Sequence, residues 1–510
     1  MLARIISGAV LGVDATRVTV EVDVALGIQI FHVVGLPDGA VREARLRVPA
    51  AMNNAGYTCP TDKLTINLAP ADMRKDGTAF DLPIALGILA ASQLRPAVTL
   101  AEYAFAGELG LDGSVRPIRG ALPLALMARD EGLRGIFLPR ENAAEAAVVE
   151  GIEVLPVDDL STLVRFLEGE HALLEPMLAA PFGERPETNP VDFSEVAGQA
   201  HAKRAMEVAA AGAHNVLLIG PPGSGKSMLA KRLPTILPRM TFEEALETTK
   251  IYSVTGHLPK GLGLVDQRPF RHPHHTISGA GLVGGGAGTP KPGEISLAHH
   301  GVLFLDELPE FHRATLEVMR QPLEDGEVTL SRSVHTLTFP ARTMLVAAMN
   351  PCTCGFFGSS GPRMCTCSIE RVRRYRERIS GPLLDRIDVQ VEVPAVGYDA
   401  IAAADRGEPS ATIRARVQRA RDIQQERFKG LPIHANAQMH PAQLRDHCAL
   451  DDAGHALLGR VVDTMGMSAR AVDRILKVSR TIADLDDAEA IHTTHLAEAI
   501  QYRTLDREMP

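Results

Sequence analysis

Tryptophan is absent from this chain of 510 residues, and aromatic residues make up only 4% of it. The hydrophobic fraction is nevertheless 45%, which is normal for a globular protein, so the shortage of aromatics does not argue against buried cores. A chain of this length is expected to form two or three domains.

Long apolar runs are also missing. The longest, near residues 82–91, is about half as long as a membrane-spanning helix. The first ten residues, MLARIISGAV, do not form a convincing cleavable signal. We therefore expect a cytoplasmic protein with no membrane association.

The chain also has no excess of positive charge. The formal net charge of −9 argues against a protein that coats nucleic acid over its whole surface. Two arginine-rich stretches with helical character remain, residues 371–378 (RVRRYRER) and 414–429. They predict either local DNA contacts or a solvated helix face with subunit-contact charges.

The strongest motif is GPPGSGKS, which satisfies the pattern G-x-x-x-x-G-K-[ST] in full. An apolar run precedes it and a helical stretch follows, so backbone amides can converge on phosphate oxygens at a helix N-terminus. Lys226 is predicted to reach the β and γ phosphates, and the Ser227 hydroxyl to hold Mg²⁺. The motif predicts that the chain binds ATP through Gly220, Pro221, Pro222, Gly223, Ser224, Gly225, Lys226 and Ser227.

Two further strands carry the other polar groups of an ATPase site. Residues 301–307 read GVLFLDE, where Asp306 is predicted to hold Mg²⁺ and Glu307 to polarise the attacking water. A third predicted strand, residues 343–349, ends at Asn350, whose amide could bond the γ-phosphate or that water.

The chain divides into three blocks joined by one linker. Residues 1–168 alternate strand-like runs with helical stretches and predict an α/β domain, and the proline-containing segment 169–192 is expected to be a linker. The ATPase core is assigned to residues 193–394. Residues 395–510 show only helical patterns, including amphipathic segments at 469–483 and 494–502, which suggest a helical lid over the nucleotide.

Four of the six cysteines follow the pattern C-x-C-(x)₁₀-C-x-C: Cys352, Cys354, Cys365 and Cys367. Paired thiolates suit a tetrahedral Zn²⁺, although the one-residue spacing is tighter than usual, and buried thiols or a redox pair are the alternatives. The nearby histidines His272, His274 and His275 lack carboxylate partners at defined spacing, so we interpret them as loop or pore-packing residues.

The order of these motifs resembles that of AAA+ ATPases, in particular the magnesium-chelatase-like group and, within it, the competence-related ComM/YifB family. The resemblance covers essentially the whole chain, and its most specific stretches are residues 35–52, 268–286, 292–311 and 380–389. In this group Arg386 matches an arginine that points at the γ-phosphate of a neighbouring subunit, unless it forms a local salt bridge to Asp385 or Asp388. Arg470 matches the sensor-2 arginine, with Arg474 as its rival. The family implies a ring, expected to be a homohexamer.

The resemblance also suggests two pore elements. The glycine-rich stretch 278–293 matches an insertion in the second core helix, and residues 326–339 alternate as a β-hairpin does. In related motors both elements face the pore and grip the translocated polymer; a surface loop and an ordinary hairpin are the alternative. The DNA-facing residues are then expected to be Gly284, Gly285, Lys291, Arg332 and His335.

Residues 69–91 and 107–142 resemble the proteolytic domain of Lon proteases, which has the S5 domain 2-like fold. The Ser–Lys dyad of that enzyme falls at Ala79 and Leu122 here, so neither nucleophile nor base is present. The resemblance implies a non-catalytic α/β domain used for partner binding, DNA binding or ring assembly. An ATP-dependent protease, which would need Ser92 or Ser114 instead, is disfavoured.

The family resemblance implies an ATP-driven DNA motor with helicase or branch-migration activity. Such a motor serves natural transformation and homologous recombination of incoming DNA, on single-stranded or branched substrates and alongside recombination proteins. The alternative is a chelatase-type ATPase that remodels a protein or metal-insertion partner. The Lon-like domain, which chelatase motor subunits are not expected to carry, argues against this alternative.

Overall fold

The computed structural model of the chain describes residues 1–183, 190–286, 289–331, 336–358, 363–397 and 407–503. Its first part is an α/β unit built on a seven-stranded sheet. The strands of this part are β1 (Leu2–Leu11), β2 (Asp14–Ala25), β3 (Ile30–Val34), β4 (Lys63–Ala69), β5 (Tyr103–Phe105), β6 (Glu108–Leu109), β7 (Val115–Arg116), β8 (Gly135–Pro139) and β9 (Glu153–Val157). Its helices are α1 (Gly39–Arg42), α2 (Ala44–Asn54), α3 (Asp81–Ser92), α4 (Ala121–Asp130), α5 (Arg140–Ala146) and α6 (Leu160–Leu167).

The order of this sheet is β3-β4-β2-β1-β5-β8-β9. Strands β1, β2 and β4 pair antiparallel, and the others join in parallel. Helix α3 is buried along almost its whole length, which explains the apolar run near residue 82 as a core helix of this sheet. Among the described residues no helix has the length and apolar character needed to cross a bilayer.

The second part is built on a five-stranded parallel sheet with the order β11-β14-β17-β10-β18. Its strands, together with two small hairpins, are β10 (Val216–Ile219), β11 (Phe270–Arg271), β12 (Gly284–Gly285), β13 (Lys291–Pro292), β14 (Val302–Leu305), β15 (Glu327–Ser331), β16 (Thr336–Pro340), β17 (Met344–Met349) and β18 (Val389–Glu392). Its helices are α7 (Ala200–Gly212), α8 (Lys226–Arg232), α9 (Phe242–Thr255), α10 (Gly279–Val283), α11 (Glu294–Leu297), α12 (Arg313–Glu317), α13 (Arg320–Asp325), α14 (Ile369–Arg376) and α15 (Gly381–Leu384).

The third part of the described chain is helical, as predicted. It contains α16 (Ser410–Arg427), α17 (Pro441–His447), α18 (Asp452–Met465), α19 (Ala469–Leu485) and α20 (Thr493–Gln501). The fold class, two α/β parts followed by a helical region, is therefore confirmed, while the exact boundaries at residues 168, 192 and 394 stay predictions.

Helices α16 and α19 pack on α7 and share its apolar core. The guanidinium of Arg421, buried in α16, donates to the carbonyls of Ala210 and Ala211 at 3.0–3.2 Å. These carbonyls lie in the last turn of α7, where a helix leaves acceptors without intrahelical partners. The helical region is thus attached to the core through a buried, charge-assisted contact.

The first two parts meet around the predicted pore hairpin. Val13, in the turn between β1 and β2, packs in one buried cluster with Ile251 of α9 and Leu337 and Phe339 of β16. Helix α9 also packs against α4. The base of the hairpin therefore rests on the N-terminal part of the chain.

Candidate nucleotide site

The GPPGSGKS loop follows β10 at the carboxyl edge of the parallel sheet and leads into α8. Gly223 and Gly225 adopt left-handed backbone conformations with φ of +76° and +94°. At Gly220 an added Cβ would come within 2.1 Å of the Val393 carbonyl oxygen, so only glycine fits beside the neighbouring strand. The loop backbone is thereby wrapped around the N-terminus of α8, the geometry of an anion site.

Lys226 connects this loop to the adjacent strand. Its Nζ donates to the carbonyls of Gly220 and Pro221 at 2.7 and 2.8 Å and to Oδ1 of Asn350 at 3.2 Å. Burial lowers the pKa of Lys226 from its ordinary value, while the carboxylate of Asp306 acts in the opposite direction. The structure thus brings together the lysine and the strand-tip asparagine, which the sequence assigned separately to the phosphates and to the γ-phosphate or the attacking water.

The predicted magnesium ligands are also adjacent. The Ser227 hydroxyl donates to Oδ2 of Asp306 at 2.6 Å, and Oδ1 of Asp306 accepts the backbone amide of Glu307 at 3.0 Å. A hydroxyl and a carboxylate side by side at the phosphate loop are the oxygen ligands that Mg²⁺ uses in such sites. These two residues could therefore hold the ion between protein and phosphates.

Glu307 has a backbone conformation that is uncommon for a residue with a side chain. Its φ and ψ are +53° and +47°, and its side chain is 58% exposed. This turn ends β14 at Leu305 and follows directly on Asp306, one of the two predicted magnesium ligands. A strained residue of this kind is typical of a functional position.

The histidines of RHPHHT were interpreted as loop or pore-packing residues, and the structure gives two of them a closer connection to the site. Nδ1 of His275 lies 3.6 Å from Oε2 of Glu307, and the ring of His272 packs 4.7 Å from Phe304 in β14. Burial lowers the pKa of His272. The sequence contained no local signal for the pairing, because Glu307 is far away along the chain.

The predicted arginines lie at the opposite edge of the same sheet. Arg386, Arg470 and Arg474 line a cavity of about 770 Å³. Asn215 and Gly301, which line it too, directly precede β10 and β14, so the cavity is at the amino edge. Strand β10 spans four residues, and at about 3.3 Å per residue it alone separates the two edges by about 13 Å.

This position corrects the prediction of a lid over the nucleotide. Helices α16 and α19 of the C-terminal region pack on α7, and α19 presents Arg470 and Arg474 to the amino-edge cavity instead of the phosphate loop of the same chain. The helical pattern correctly indicated α19 and α20, but a helical pattern does not reveal which edge of a sheet a helix will cover.

Arg386 is held inside its own chain by three groups. Nε donates to the Arg320 carbonyl at 2.9 Å, Nη1 to the Pro382 carbonyl at 2.7 Å, and Nη2 to the carboxylate of Glu324. The local salt bridge considered with Asp385 or Asp388 is therefore replaced by one with Glu324, a residue on α13.

Arg470 and Arg474 differ in their partners. Nη1 of Arg474 lies 3.4 Å from Oδ1 of the buried Asp388. Burial acts to raise the pKa of Asp388, but the neighbouring His214 and the Arg474 charge outweigh it and hold this pKa well below its ordinary value. Arg470 is exposed and has no ion pair within the described ranges. This difference favours Arg470 as the arginine left free for a phosphate.

The two predicted insertions lie together. Gly284 and Gly285 of β12 pair with Pro292 and Lys291 of β13, respectively, and a Cβ added at Gly284 would come within 3.1 Å of Leu330 in β15. The hairpin β15–β16 predicted over residues 326–339 is present. Arg332 and His335, expected near its tip, lie outside the described residues.

The four predicted zinc ligands converge in the loop after Asn350. The Sγ atoms of Cys352, Cys354, Cys365 and Cys367 all lie within 4.8 Å of one another. None of the six cysteines forms a disulfide.

A second group of possible metal ligands, Glu247, His299 and His300, is better explained by hydrogen bonds. Nδ1 of His299 accepts the backbone amide of Arg342 at 3.0 Å, so the neutral ring carries its proton on Nε2, which lies 3.0 Å from Oε2 of Glu247. Nε2 of His300 contacts the same oxygen at 2.8 Å. A metal on His299 Nε2 would have to displace that proton.

Sequence comparison agrees with this geometry. Three family models match: "Magnesium chelatase, subunit ChlI" over residues 192–401, "Subunit ChlI of Mg-chelatase" over 20–142, and "Magnesium chelatase, subunit ChlI C-terminal" over 407–503. Competence protein ComM of Haemophilus influenzae is 44% identical over 514 residues, covering 99% of this chain and 98% of that protein. Uncharacterized protein YifB of Salmonella typhimurium is 44% identical over 510 residues, with the same coverage.

The chain belongs to the ComM/YifB family of magnesium-chelatase-like AAA+ proteins. Membership of this family implies ATPase activity with ATP and Mg²⁺. The phosphate loop and the ends of the two strands β14 and β17 carry the residues predicted to perform it.

The N-terminal part of this ComM/YifB protein is similar to a protease. Lon protease 2 of Bacillus subtilis is 31% identical over 172 residues, which are 31% of this chain and 29% of that protein. Ala79 and Leu122, the positions matched to the dyad, lie in one apolar cluster. Ser92 donates to the Ile88 carbonyl and Ser114 to the Asp112 carboxylate, so neither hydroxyl donates to the lysine that a Ser–Lys dyad requires.

The two arginine-rich helices of the ComM/YifB chain differ in their surroundings. On α16, Arg416 pairs with Glu207 and Glu408, and Arg427 pairs with Asp484, so these charges serve internal contacts. On α14, Arg373 and Arg374 are 69% and 76% exposed, although each also pairs with a glutamate one turn away. The arginines of α14 are therefore a candidate basic surface, whereas Arg416 and Arg427 of α16 are not.

Proposed function

We propose that the protein is a cytoplasmic, ring-forming ATPase that moves DNA and performs helicase or branch-migration work on incoming DNA during natural transformation and homologous recombination. The observation that carries the ring and the ATPase is the separation of Arg386 and Arg470 from the phosphate loop. The DNA part is supported by the competence role named for the Haemophilus relative.

The separation makes a single chain an incomplete ATPase. Lys226, Ser227, Asp306, Glu307 and Asn350 gather at the carboxyl edge, while Arg386 and Arg470 lie at the amino edge. A head-to-tail ring brings the carboxyl edge of one copy against the amino edge of the next, because this heterologous contact repeats until it closes. Arg386 then stabilises the developing phosphate charge of its neighbour, an effect worth about 10³–10⁵ in rate in other NTPases. We propose six copies, as the family resemblance implies.

The DNA contacts are proposed at the two adjoining insertions. Lys291 is exposed next to the glycines Gly284 and Gly285, and the hairpin strand β15 lies beside them. Arg332 and His335 are proposed as DNA contacts from the sequence alone. A lysine beside glycines suits contact with phosphates and not reading of bases. Binding is therefore expected to be independent of sequence and sensitive to salt. We also propose Zn²⁺ as the occupant of the four-cysteine cluster.

The test of the shared site uses two inactive variants. Lys226→Ala keeps an intact Arg386, and Arg386→Ala keeps an intact phosphate loop. In a randomly mixed ring about a quarter of the interfaces join an intact loop to an intact arginine, so mixing should restore ATP hydrolysis. A mixture as inactive as its components, although gel filtration shows mixed rings, would contradict the shared site.

The test of the DNA function measures ATP hydrolysis and strand displacement on forked, linear and three-stranded DNA at stated salt. We expect stimulation by DNA and displacement that requires ATP and Mg²⁺. Hydrolysis unaffected by every DNA form would instead favour the second candidate, a chelatase-type remodelling ATPase. That candidate is supported by the magnesium-chelatase descriptions of the three matching family models.

A further inference from the structure

The loop between β17 and α14 brings four thiols to one point beside the nucleotide site. The distance between the sulfurs of Cys352 and Cys354 is 3.3 Å, and Cys365 lies 3.7 and 3.6 Å from these two. Cys367 completes the group, and its backbone amide lies 3.4 Å from the Cys365 sulfur. Ten residues separate the two pairs along the chain, so only the fold brings them together.

These distances fit one ion. A tetrahedron of sulfurs around zinc, with Zn–S bonds of about 2.3 Å, has S–S edges of about 3.8 Å. The observed separations of 3.3–3.7 Å are close to that edge and much longer than the ~2.05 Å bond of a disulfide. Four sulfurs leave no open coordination position, which is the arrangement of a structural zinc and not of a catalytic one.

The loop contacts two parts of the nucleotide site. Asn350, which bonds Lys226, lies two residues before Cys352. Gly355, with φ of +87°, packs directly on the phosphate loop, since a Cβ added there would come within 2.5 Å of Cδ of Pro222. The cysteine loop and the phosphate loop are therefore in direct contact, and even a methyl side chain at position 355 would clash with Pro222.

A third contact ties the loop to α14. Nε of Arg376 donates to the Pro351 carbonyl at 3.3 Å, and its guanidinium lies 5.3 Å from the ring of Phe357. The backbone between Asn350 and Phe357 is thus bordered by the phosphate loop on one side and by α14 on the other. The four sulfurs converge at this backbone segment, so an ion bound by them would fix its position.

We infer that a single Zn²⁺ held by the four cysteines sets the position of Asn350 against the phosphate loop, so that metal loading controls the rate of ATP hydrolysis. This inference rests on the proposed ATPase function. The cysteines act as positioning residues: they hold the backbone that carries Asn350 and touch neither nucleotide nor water. A misplacement of about 1 Å at such a group lowers catalytic rates by about 10²-fold.

The experiment uses the full chain. Zinc and iron are measured in the purified protein by mass spectrometry, a chelator removes the metal, and ATP hydrolysis is followed before and after Zn²⁺ is returned. We expect about one zinc ion per chain, and removal should lower kcat by about 10- to 100-fold. The KM for ATP should change much less, because Lys226 and the loop glycines remain, and returned zinc should restore kcat.

Two variants separate positioning from folding. Cys365→Ser is expected to lose zinc and kcat together while circular dichroism still shows the folded chain and ATP still binds. Cys59→Ser removes a half-buried cysteine in the N-terminal part and should keep both zinc and kcat. If Cys365→Ser does not fold, the chelated wild-type protein supplies the same comparison.

Three results would count against the inference. Protein without bound zinc, or with iron in its place, overturns the assigned metal. A protein that keeps its kcat after zinc has been removed overturns only the inference that zinc controls hydrolysis, and leaves the metal assignment standing. A zinc-loaded protein that binds ATP but never hydrolyses it, with or without DNA, overturns the proposed function and the control of hydrolysis, and leaves the measured metal content standing.

Discussion

The ammonium nitrogen of Lys226 lies 3.2 Å from Oδ1 of Asn350, although 124 residues separate them along the chain. They meet because β10 and β17 are neighbouring parallel strands whose carboxyl ends coincide. Asp306, at the end of the next strand β14, joins them through Ser227. Three adjacent strands therefore each end in one polar part of the same site.

Lys226→Ala should abolish nucleotide binding. The change removes the ammonium group predicted to reach the β and γ phosphates, and we expect the affinity for ATP to fall by at least about 100-fold. Binding of a fluorescent ATP analogue measures the effect. Lys231→Ala, an exposed lysine on the same helix, is the matched control and should bind normally. Equal losses in both variants would contradict the role of Lys226.

Glu307→Gln should separate binding from hydrolysis. The amide keeps the size of the side chain but cannot accept the proton of the attacking water, so we expect kcat to fall by about 10²–10⁴-fold with ATP binding retained. Trapped ATP should also stabilise the ring in gel filtration. Glu310→Gln, three residues later and paired with Arg378, should hydrolyse ATP at the wild-type rate. A Glu307→Gln variant with normal kcat would rule out this carboxylate as the base.

Glu324→Gln should release Arg386. The ion pair to the 56% exposed Glu324 must break before Arg386 can reach a neighbour's phosphate. Exposed pairs contribute about 0.2–1 kcal/mol, so we expect hydrolysis to rise by up to about 5-fold at limiting protein concentration. Glu327→Gln removes an equal charge from the lining of the same cavity and should have no such effect. A similar rise in hydrolysis in both variants would show that the loss of a negative charge, and not the release of Arg386, is the cause.

Lys291→Ala should weaken DNA binding and strand displacement while basal ATP hydrolysis stays unchanged. One fewer phosphate contact per subunit should reduce the slope of log K against log salt by about 0.7–0.9 per bound subunit. Binding measured by fluorescence anisotropy at several salt concentrations tests this. Lys429→Ala, an exposed lysine that ends the α16 region, removes the same charge elsewhere and serves as the control.

His299 should make the folded protein less stable in mild acid. Burial, reinforced by the adjacent His300, lowers its pKa from 6.5 to about 4, although Glu247 opposes the shift. The unfolded chain therefore binds this proton more readily than the folded protein does. The free energy of unfolding is unaffected by His299 above pH ~6.5 and decreases by up to about 3 kcal/mol as the pH falls towards 4.

Urea unfolding followed by circular dichroism at several pH values tests this dependence. His299→Gln should flatten the dependence of unfolding free energy on pH between 6.5 and 4, whereas His257→Gln, at an exposed position, should not. A wild-type protein equally stable across this interval would show that His299 does not titrate as stated.

Local patterns predicted much of the fold. The phosphate loop, the hairpin over residues 326–339 and the helices now numbered α19 and α20 were all correct, because each is specified by residues close together in the chain. Strand β1 was not predicted, since its first residues were considered only as a signal segment. Its place in the centre of the sheet depends on partners that come later in the sequence.

Relations between distant segments could not be predicted in the same way. The lid was expected above the phosphate loop, but its position follows from the packing of α16 and α19 on α7. His275 was interpreted as packing, because nothing near it in the sequence indicates that the turn after β14 brings Glu307 beside it. Helical periodicity and motif spacing define elements and carry no information on which edge of a sheet receives them.

The contact between Arg421 and the carbonyls of Ala210 and Ala211 limits how this protein can be re-engineered. A fragment that ends at residue 394 would lose these donors and would expose to water the apolar surface that α7 shares with α16 and α19. Exchanging C-terminal regions between relatives would likewise require a matching arginine and a matching helix end. The ATPase core and the helical region are therefore better exchanged together than separately.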